Sequence, residues 1–152
     1  MAGVLIALHA EAAVIWVGGM FFAYTILRPA TGPMAGPDRL NLWRRNFKAF
    51  FAVVWAAIVV LLATGYGMIF GIMGGFAGAG LHIHLMQALG IAMMLLFFHL
   101  YFAPWKRLKR KLDAEDYQGA AADLGQIRRI VGTNLILGLI TVSIGASGRY
   151  WG

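Results

Sequence analysis

The chain has 152 residues, of which 61% are hydrophobic and only 12% carry a charge. A soluble domain of this length could not bury so much apolar surface, so the composition favours membrane-spanning segments. The absence of cysteine excludes disulfides, thiolate zinc sites, iron–sulfur clusters and haem attached through a Cys-x-x-Cys-His motif. The formal net charge of +7 is concentrated in two loops, which is typical of loops facing anionic lipid and argues against nucleic-acid binding.

Long apolar stretches predict four transmembrane segments, because each is about 20 residues or longer. Each is predicted to be helical, since a segment in lipid must satisfy its backbone hydrogen bonds internally. The predicted helices cover residues 3–27, 49–73, 80–103 and 127–148 of one membrane domain, residues 1–152. The stretch LNLWRRNF is predicted to form a separate interfacial helix, and an aromatic belt is predicted at headgroup level from Trp43, Trp105, Tyr150 and Trp151.

The distribution of Lys and Arg predicts the orientation of these helices. The loops 28–48 and 104–126 are rich in basic residues, whereas the Gly-rich loop between the second and third helices has no charge. The positive-inside rule therefore places the two basic loops in the cytoplasm. The predicted fold is an all-α, integral membrane four-helix bundle, multi-pass in the bacterial inner membrane, with both termini on the outer (periplasmic) side.

All four histidines lie inside or at the edge of a predicted span: His9, His82, His84 and His99. Ionisable groups are costly in hydrocarbon, and imidazole is a common ligand for haem iron and copper. At a rise of about 1.5 Å per residue, His9 lies about 9 Å and His84 about 6 Å from the outer ends of their helices, which is a similar depth. His99 lies about 22 Å beyond His84. His82 and His84 are about 200° apart on a helix, so His82 replaces His84 only if that helix is rotated.

Two histidines at matched depth on different helices can hold a haem between them. Gly18 and Gly19, with Gly138 and Gly145, are expected to leave room for the porphyrin. Trp16 shares a face with His9, and Arg149 is positioned to pair with a propionate. The predicted cofactor is thus one haem b with His9 and His84 as iron ligands and with Trp16, Gly19 and Arg149 beside it. A six-coordinate haem is suited to electron transfer, so quinone, superoxide or a periplasmic redox carrier would be the partner.

Other interpretations stay open at this point. Thioether and imidazole together suit Cu(I), so a copper site is the alternative. An accessory subunit of a larger complex would use its histidines only for packing. His99 is also open to a hydrogen-bonding role in a helix interface. Glu11 is a proton carrier, a hydrogen-bonding partner of a metal ligand, or a group that simply reaches water. A homodimer is also compatible with the chain. The candidate copper ligands are Met68, Met73, His82, His84 and Met86.

The first helix, LHAEAAVIWVGGMFF, resembles the opening helix of CopD-like and HemJ-like membrane proteins, which have a His, a Trp seven residues later and then small residues. Here these are His9, Trp16, Gly18 and Gly19. The third helix begins LHIHL, similar to the HemJ pattern Leu-His-x-Lys-Leu. The resemblance implies a four-helix bundle that binds b-type haem through His9 and His84. For HemJ it implies oxidation of protoporphyrinogen IX, and for CopD copper uptake or resistance. RRIVGTNLILG lacks the Asn-Glu-x-Pro motif of HemJ, so the chain looks nearer to small CopD-like proteins.

Overall fold

The computed structural model describes residues 1–151, and no strand occurs in that range. The α-helices are α1 (Ala2–Phe21), α2 (Gly36–Gly71), α3 (Leu81–Phe102), α4 (Pro104–Asp113) and α5 (Tyr117–Ser147). Helix α1 continues as a π-helix (Phe22–Leu27) and an α-helical turn (Arg28–Ala30), and 3-10 turns lie at Phe76–Gly78 and Gly148–Tyr150. Four helical stretches are long and apolar enough to cross a membrane. The predicted all-α membrane fold is therefore confirmed.

Two helices begin earlier than the sequence predicted. Helix α2 is one continuous helix of 36 residues, so LNLWRRNF is part of it and does not form a separate interfacial helix. Neither Gly nor Pro interrupts residues 38–64, and Pro37 lies in the first turn, where its missing N–H is tolerated. Helix α5 begins at Tyr117 because Asp116 caps it, accepting a hydrogen bond from the Gly119 N–H at 2.8 Å. The predicted loop 104–126 is thus largely helical.

Helix packing depends on small residues. Helix α1 packs along α2 and also against α5, while α3 and α4 pack along α5. In a bilayer no hydrophobic force drives helices together, so close van der Waals packing has to do so. The Phe50 ring occupies the space beside Gly19, and Val17 and Met93 occupy the space beside Gly138. A glycine at each position lets neighbouring helices approach closely.

An aromatic core joins α2 to α3 and α4. Phe51 makes edge contacts with Phe97 and Trp105, with ring centroids 5.6 and 5.4 Å apart, and each such pair contributes about 0.5–1.5 kcal/mol. Trp43 and Trp105, predicted at headgroup level, are instead buried, with 2% and 3% of their surface exposed. Trp43 can be buried because its indole N–H donates to Thr31 Oγ1 at 3.2 Å. Both side chains therefore pack inside the bundle and do not face outward, while their level relative to the headgroups stays a prediction.

The bundle has two chemically distinct ends. The basic end comprises the turn at residues 31–35, helix α4 and the first turns of α2 and α5; the glycine-rich end comprises the start of α1, residues 72–80 and the end of α5. At the basic end, Asp123 on α5 binds Arg107 and Lys111 of α4 at 2.9 and 2.8 Å. Which end faces the cytoplasm stays a prediction.

Candidate metal site

His9 lies half-buried on the side of α1 that faces α2. Its Nδ1 atom is 2.9 Å from Thr64 Oγ1, and the Thr64 hydroxyl donates to the Val60 carbonyl at 2.6 Å. Because that hydroxyl has one proton and gives it to Val60, its oxygen accepts a hydrogen bond from Nδ1–H of His9. The Nε2 atom of His9 then carries the free lone pair. Gly65 makes room for the ring, since a Cβ there would lie 3.3 Å from His9 Cε1.

His84, the second predicted haem ligand, has different surroundings. It is exposed near the start of α3, and its ring stacks on Phe76 at a centroid distance of 6.4 Å. Phe76 belongs to the 3-10 turn between α2 and α3. His9 therefore contacts the side of α2, whereas His84 contacts the connecting turn. The residues that contact the His9 ring differ from the residue that contacts the His84 ring. Haem ligation by this pair stays a prediction.

The other residues predicted to lie beside a haem, Trp16, Gly19 and Arg149, each contact another side chain of the protein. Trp16 is buried in edge contact with Phe97, at a centroid distance of 6.3 Å. Gly19 is covered by Phe50, as described above. The Arg149 guanidinium lies 4.7 Å from the centre of the Tyr150 ring. Trp16 and Gly19 therefore contact other side chains of the bundle, and their place beside a haem stays a prediction.

His82 and Met86 lie four residues apart on α3, and both contact the end of α5. The His82 ring packs on Gly80 and Gly148 and makes an edge contact with Trp151 at 6.5 Å. Met86 packs on Gly145, where an added Cβ would lie 2.9 Å from Cε and 3.3 Å from Sδ. Residues spaced by four share one helix face, so an imidazole and a thioether are neighbours at the glycine-rich end.

The five candidate copper ligands thus fall into separate groups. His82 and Met86 face α5, and His84 faces the turn after α2. Met68 and Met73 lie at the end of α2, where the Met68 carbonyl accepts hydrogen bonds from the Ile72 and Met73 N–H groups. Of these five, His82 and Met86 share a surface, because both pack on glycines at the end of the chain. Within residues 1–151, no group of three His, Asp or Glu side chains is close enough to hold a metal ion.

Two further ionisable residues that the sequence singled out lie on the surface. His99 is exposed in the last turn of α3, and Glu11 is exposed on α1. Sequence reasoning missed Thr64 as the partner of His9, because a single threonine in an apolar helix gives no signal of its own. The common face of His82 and Met86 was also missed, although their four-residue spacing was a signal that could have indicated it.

Comparison with known proteins identifies one family. A profile of the family described as Copper resistance protein D matches residues 44–147, which is more than half of the chain. The matched region includes most of α2, all of α3 and α4, and α5 to its last residue, with His82, His84 and Met86 inside it. Searches of curated proteins and of solved structures found no match.

Proposed function

We propose, from the premise that this chain belongs to the copper resistance protein D (CopD) family, that it binds Cu(I) as cargo in the bacterial inner membrane. Family membership and four apolar helices make it a multi-pass membrane protein of the copper resistance type. Its long apolar helices imply contact with lipid. Copper was the alternative cofactor interpretation of the sequence, and the family match supports it better than haem b.

The observation that carries the proposal is the common face of His82 and Met86. Imidazole and thioether are soft, neutral ligands that suit Cu(I) and bind Mg²⁺ or Ca²⁺ poorly. Both side chains lie at one end of the bundle, so an ion from the aqueous phase reaches them without crossing the apolar interior. His82 and Met86 are therefore the ligands proposed for Cu(I).

Two glycines, one at the end of α5 and one in the turn that follows it, allow this arrangement. Gly145 and Gly148 lie directly under Met86 and His82, and a Cβ at either position would collide with the side chain above it. Helix α5 can therefore lie close to α3 and restrict the orientations of both ligands. Restricting ligand side chains before binding lowers the entropy cost of holding a metal. The proposed function of Gly145 and Gly148 is to position the ligands.

A competition titration tests the proposal. Protein purified in detergent micelles is titrated with Cu(I) against a chromogenic Cu(I) chelator. His82→Ala and Met86→Leu are expected to weaken binding at least about tenfold, since each removes a ligand. His99→Ala and Met94→Leu, on the same helix, are the matched controls and should bind as wild type. Wild-type protein that binds no Cu(I) would refute the proposal, and a loss in His84→Ala but not His82→Ala would move the site to the other face.

The same preparation tests the haem b interpretation. The family match gives no support to haem b, to an electron-transfer oxidoreductase or to a HemJ-like protoporphyrinogen oxidase. Adding haem and recording the absorbance spectrum is expected to show no bis-histidine haem band. A band that disappears in both His9→Ala and His84→Ala would establish haem in place of copper. Partnership with quinone, superoxide or a periplasmic carrier, an accessory role and homodimerisation stay predictions.

A further inference from the structure

A cavity lies at the basic end, at the opposite end of the bundle from His82 and Met86. Its volume is about 450 Å³, and it lies between the end of the first helical stretch, the start of α2 and the first half of α5. Three arginines line it, and its lining contains no acidic residue. The lining residues are Tyr24, Thr25, Arg28, Pro29, Gly32, Arg39 and Arg128.

The three guanidinium groups have few acceptors. Arg39 donates one long hydrogen bond to the Gly32 carbonyl at 3.4 Å, and its Nε is buried without an acceptor. The Nε of Arg128 is likewise buried without an acceptor. None of the ion pairs formed within residues 1–151 involves Arg28, Arg39 or Arg128. Like charges repel and buried donors need acceptors, so an anion in the cavity would relieve both unfavourable terms.

The backbone of the first helical stretch forms one wall of this cavity. Residues Phe22–Leu27 form a π-helix, a rare geometry that often occurs at functional sites. It contributes Tyr24 and Thr25, and Arg28 follows it directly. The Tyr24 ring packs on Gly132 of α5, where a Cβ would lie 2.9 Å from Cε2. Arg28 lies over the Tyr24 ring at 5.1 Å, which holds the guanidinium group beside the cavity.

We propose that this cavity binds a phosphate group, supplied by the headgroup of an anionic phospholipid. Guanidinium groups bind phosphate oxygens in pairs through their planar N–H donors, and basic pockets at the ends of membrane helices bind lipid headgroups. Phe22 and Ile26, both about half exposed, lie on the same π-helical segment and provide apolar surface for acyl chains. Free phosphate offers the same oxygens to the arginines, so the test separates the two sources.

The test compares lipid adducts by native mass spectrometry in a neutral detergent. Phosphatidylglycerol is the probe, phosphatidylcholine with the same acyl chains is the zwitterionic comparison, and inorganic phosphate is the free-anion arm. Arg39→Gln and Arg128→Gln are expected to lower phosphatidylglycerol affinity at least about tenfold, the scale of one charge-assisted hydrogen bond. The matched control is Arg129→Gln, which removes the same charge from the exposed neighbouring residue and should lower affinity less than about twofold.

Each outcome of this test supports or refutes the proposal. Selective loss in the cavity variants supports it, whereas binding of phosphate without lipid refutes the phospholipid as ligand and gives the cavity a free anion instead. Equal loss in Arg129→Gln would show that the attraction is diffuse surface charge, which refutes the site. Binding of neither probe refutes it as well. Circular dichroism and size-exclusion chromatography check folding, and Arg39→Lys, which keeps the charge but loses the planar fork, gives an intermediate affinity.

Discussion

Thr64 on α2 determines which nitrogen of His9 on α1 carries the proton, because its hydroxyl accepts from Nδ1 at 2.9 Å while donating to the Val60 carbonyl. The bond joins the first helix, which lies outside the family match, to a residue of α2 that lies inside it. It is a side-chain contact between two spans in an otherwise apolar interface. His9 is therefore held in one tautomer and against one helix.

Replacing Thr64 with Val removes the hydroxyl but preserves the shape of the side chain. The Nδ1–H group of His9 loses its acceptor, so the variant is expected to be less stable by about 1 kcal/mol. Thermal unfolding in detergent measures the difference, and imidazole ¹⁵N chemical shifts report the tautomer. Thr25→Val is the control, because the Thr25 hydroxyl is exposed and bonds only its own helix. An equal loss of stability in both variants would argue against the interhelical bond.

Adjacent glycines on α1 are expected to respond oppositely to alanine. A Cβ at Gly19 would collide with the Phe50 ring, whereas nothing lies within 4 Å of a Cβ at Gly18. Gly19→Ala should therefore destabilise the bundle by about 1–3 kcal/mol through overpacking. Gly18→Ala should be neutral or slightly stabilising, since alanine favours a helix more than glycine does. Thermal unfolding compares them, and combining Gly19→Ala with Phe50→Leu should restore part of the loss.

Asp123 is expected to contribute more stability than any other carboxylate that forms an ion pair at the basic end. Its side chain is only 6% exposed and binds both Arg107 and Lys111, whereas Asp113, which pairs with Arg44, is 63% exposed. Asp123→Asn should cost about 1–3 kcal/mol, because it leaves two cations without their buried partner. Asp113→Asn should cost less than about 1 kcal/mol. Unfolding by denaturant measures both, and similar losses would contradict the dependence on burial.

Gly145→Ala tests the connection between helix packing and copper. The added Cβ would displace Met86, whose terminal methyl can move aside, so the fold should survive. Cu(I) affinity is expected to fall about tenfold, the lower end of the loss typical of residues that orient a metal ligand. Gly125→Ala lies on the same helix with open space around it and should leave affinity unchanged. Unchanged Cu(I) affinity in Gly145→Ala would remove Met86 from the site.

The four membrane helices could be predicted from the sequence, because a long apolar segment in lipid satisfies its own backbone hydrogen bonds by forming a helix. Their ends could not, because a basic stretch such as that around Trp43 continues a helix when no Gly or Pro interrupts it. The burial of Trp43 depends on a hydrogen bond to Thr31, a residue twelve positions away whose approach follows from the turn between α1 and α2. Contacts of this kind are tertiary and leave no periodic signal.

For the candidate sites, the residue types indicated which side chains could bind a ligand. The sequence did not indicate which way those side chains point in the bundle. The angular difference between His82 and His84 was predicted correctly to separate them, but the rotation of α3 determines which one faces the bundle. That rotation follows from packing on Gly145 and Gly148, which are more than fifty residues further along the chain. Depth alone paired His9 with His84, whereas side-chain contacts give each ring a different neighbour. The arginine cavity was missed because its members come from three separate segments.

Helix α5 has a consequence for how the two ends of the protein communicate. Arg128 in its first half borders the arginine cavity, and Gly145 near its end contacts Met86. They are seventeen residues apart in one uninterrupted helix, about 26 Å by its rise. A tilt or rotation of this helix as a rigid body would change the arginine cavity and the contact with Met86 at the same time. If occupancy at one end alters affinity at the other, thermodynamic linkage makes the effect reciprocal, so the charge at one membrane face would set the metal affinity at the opposite face.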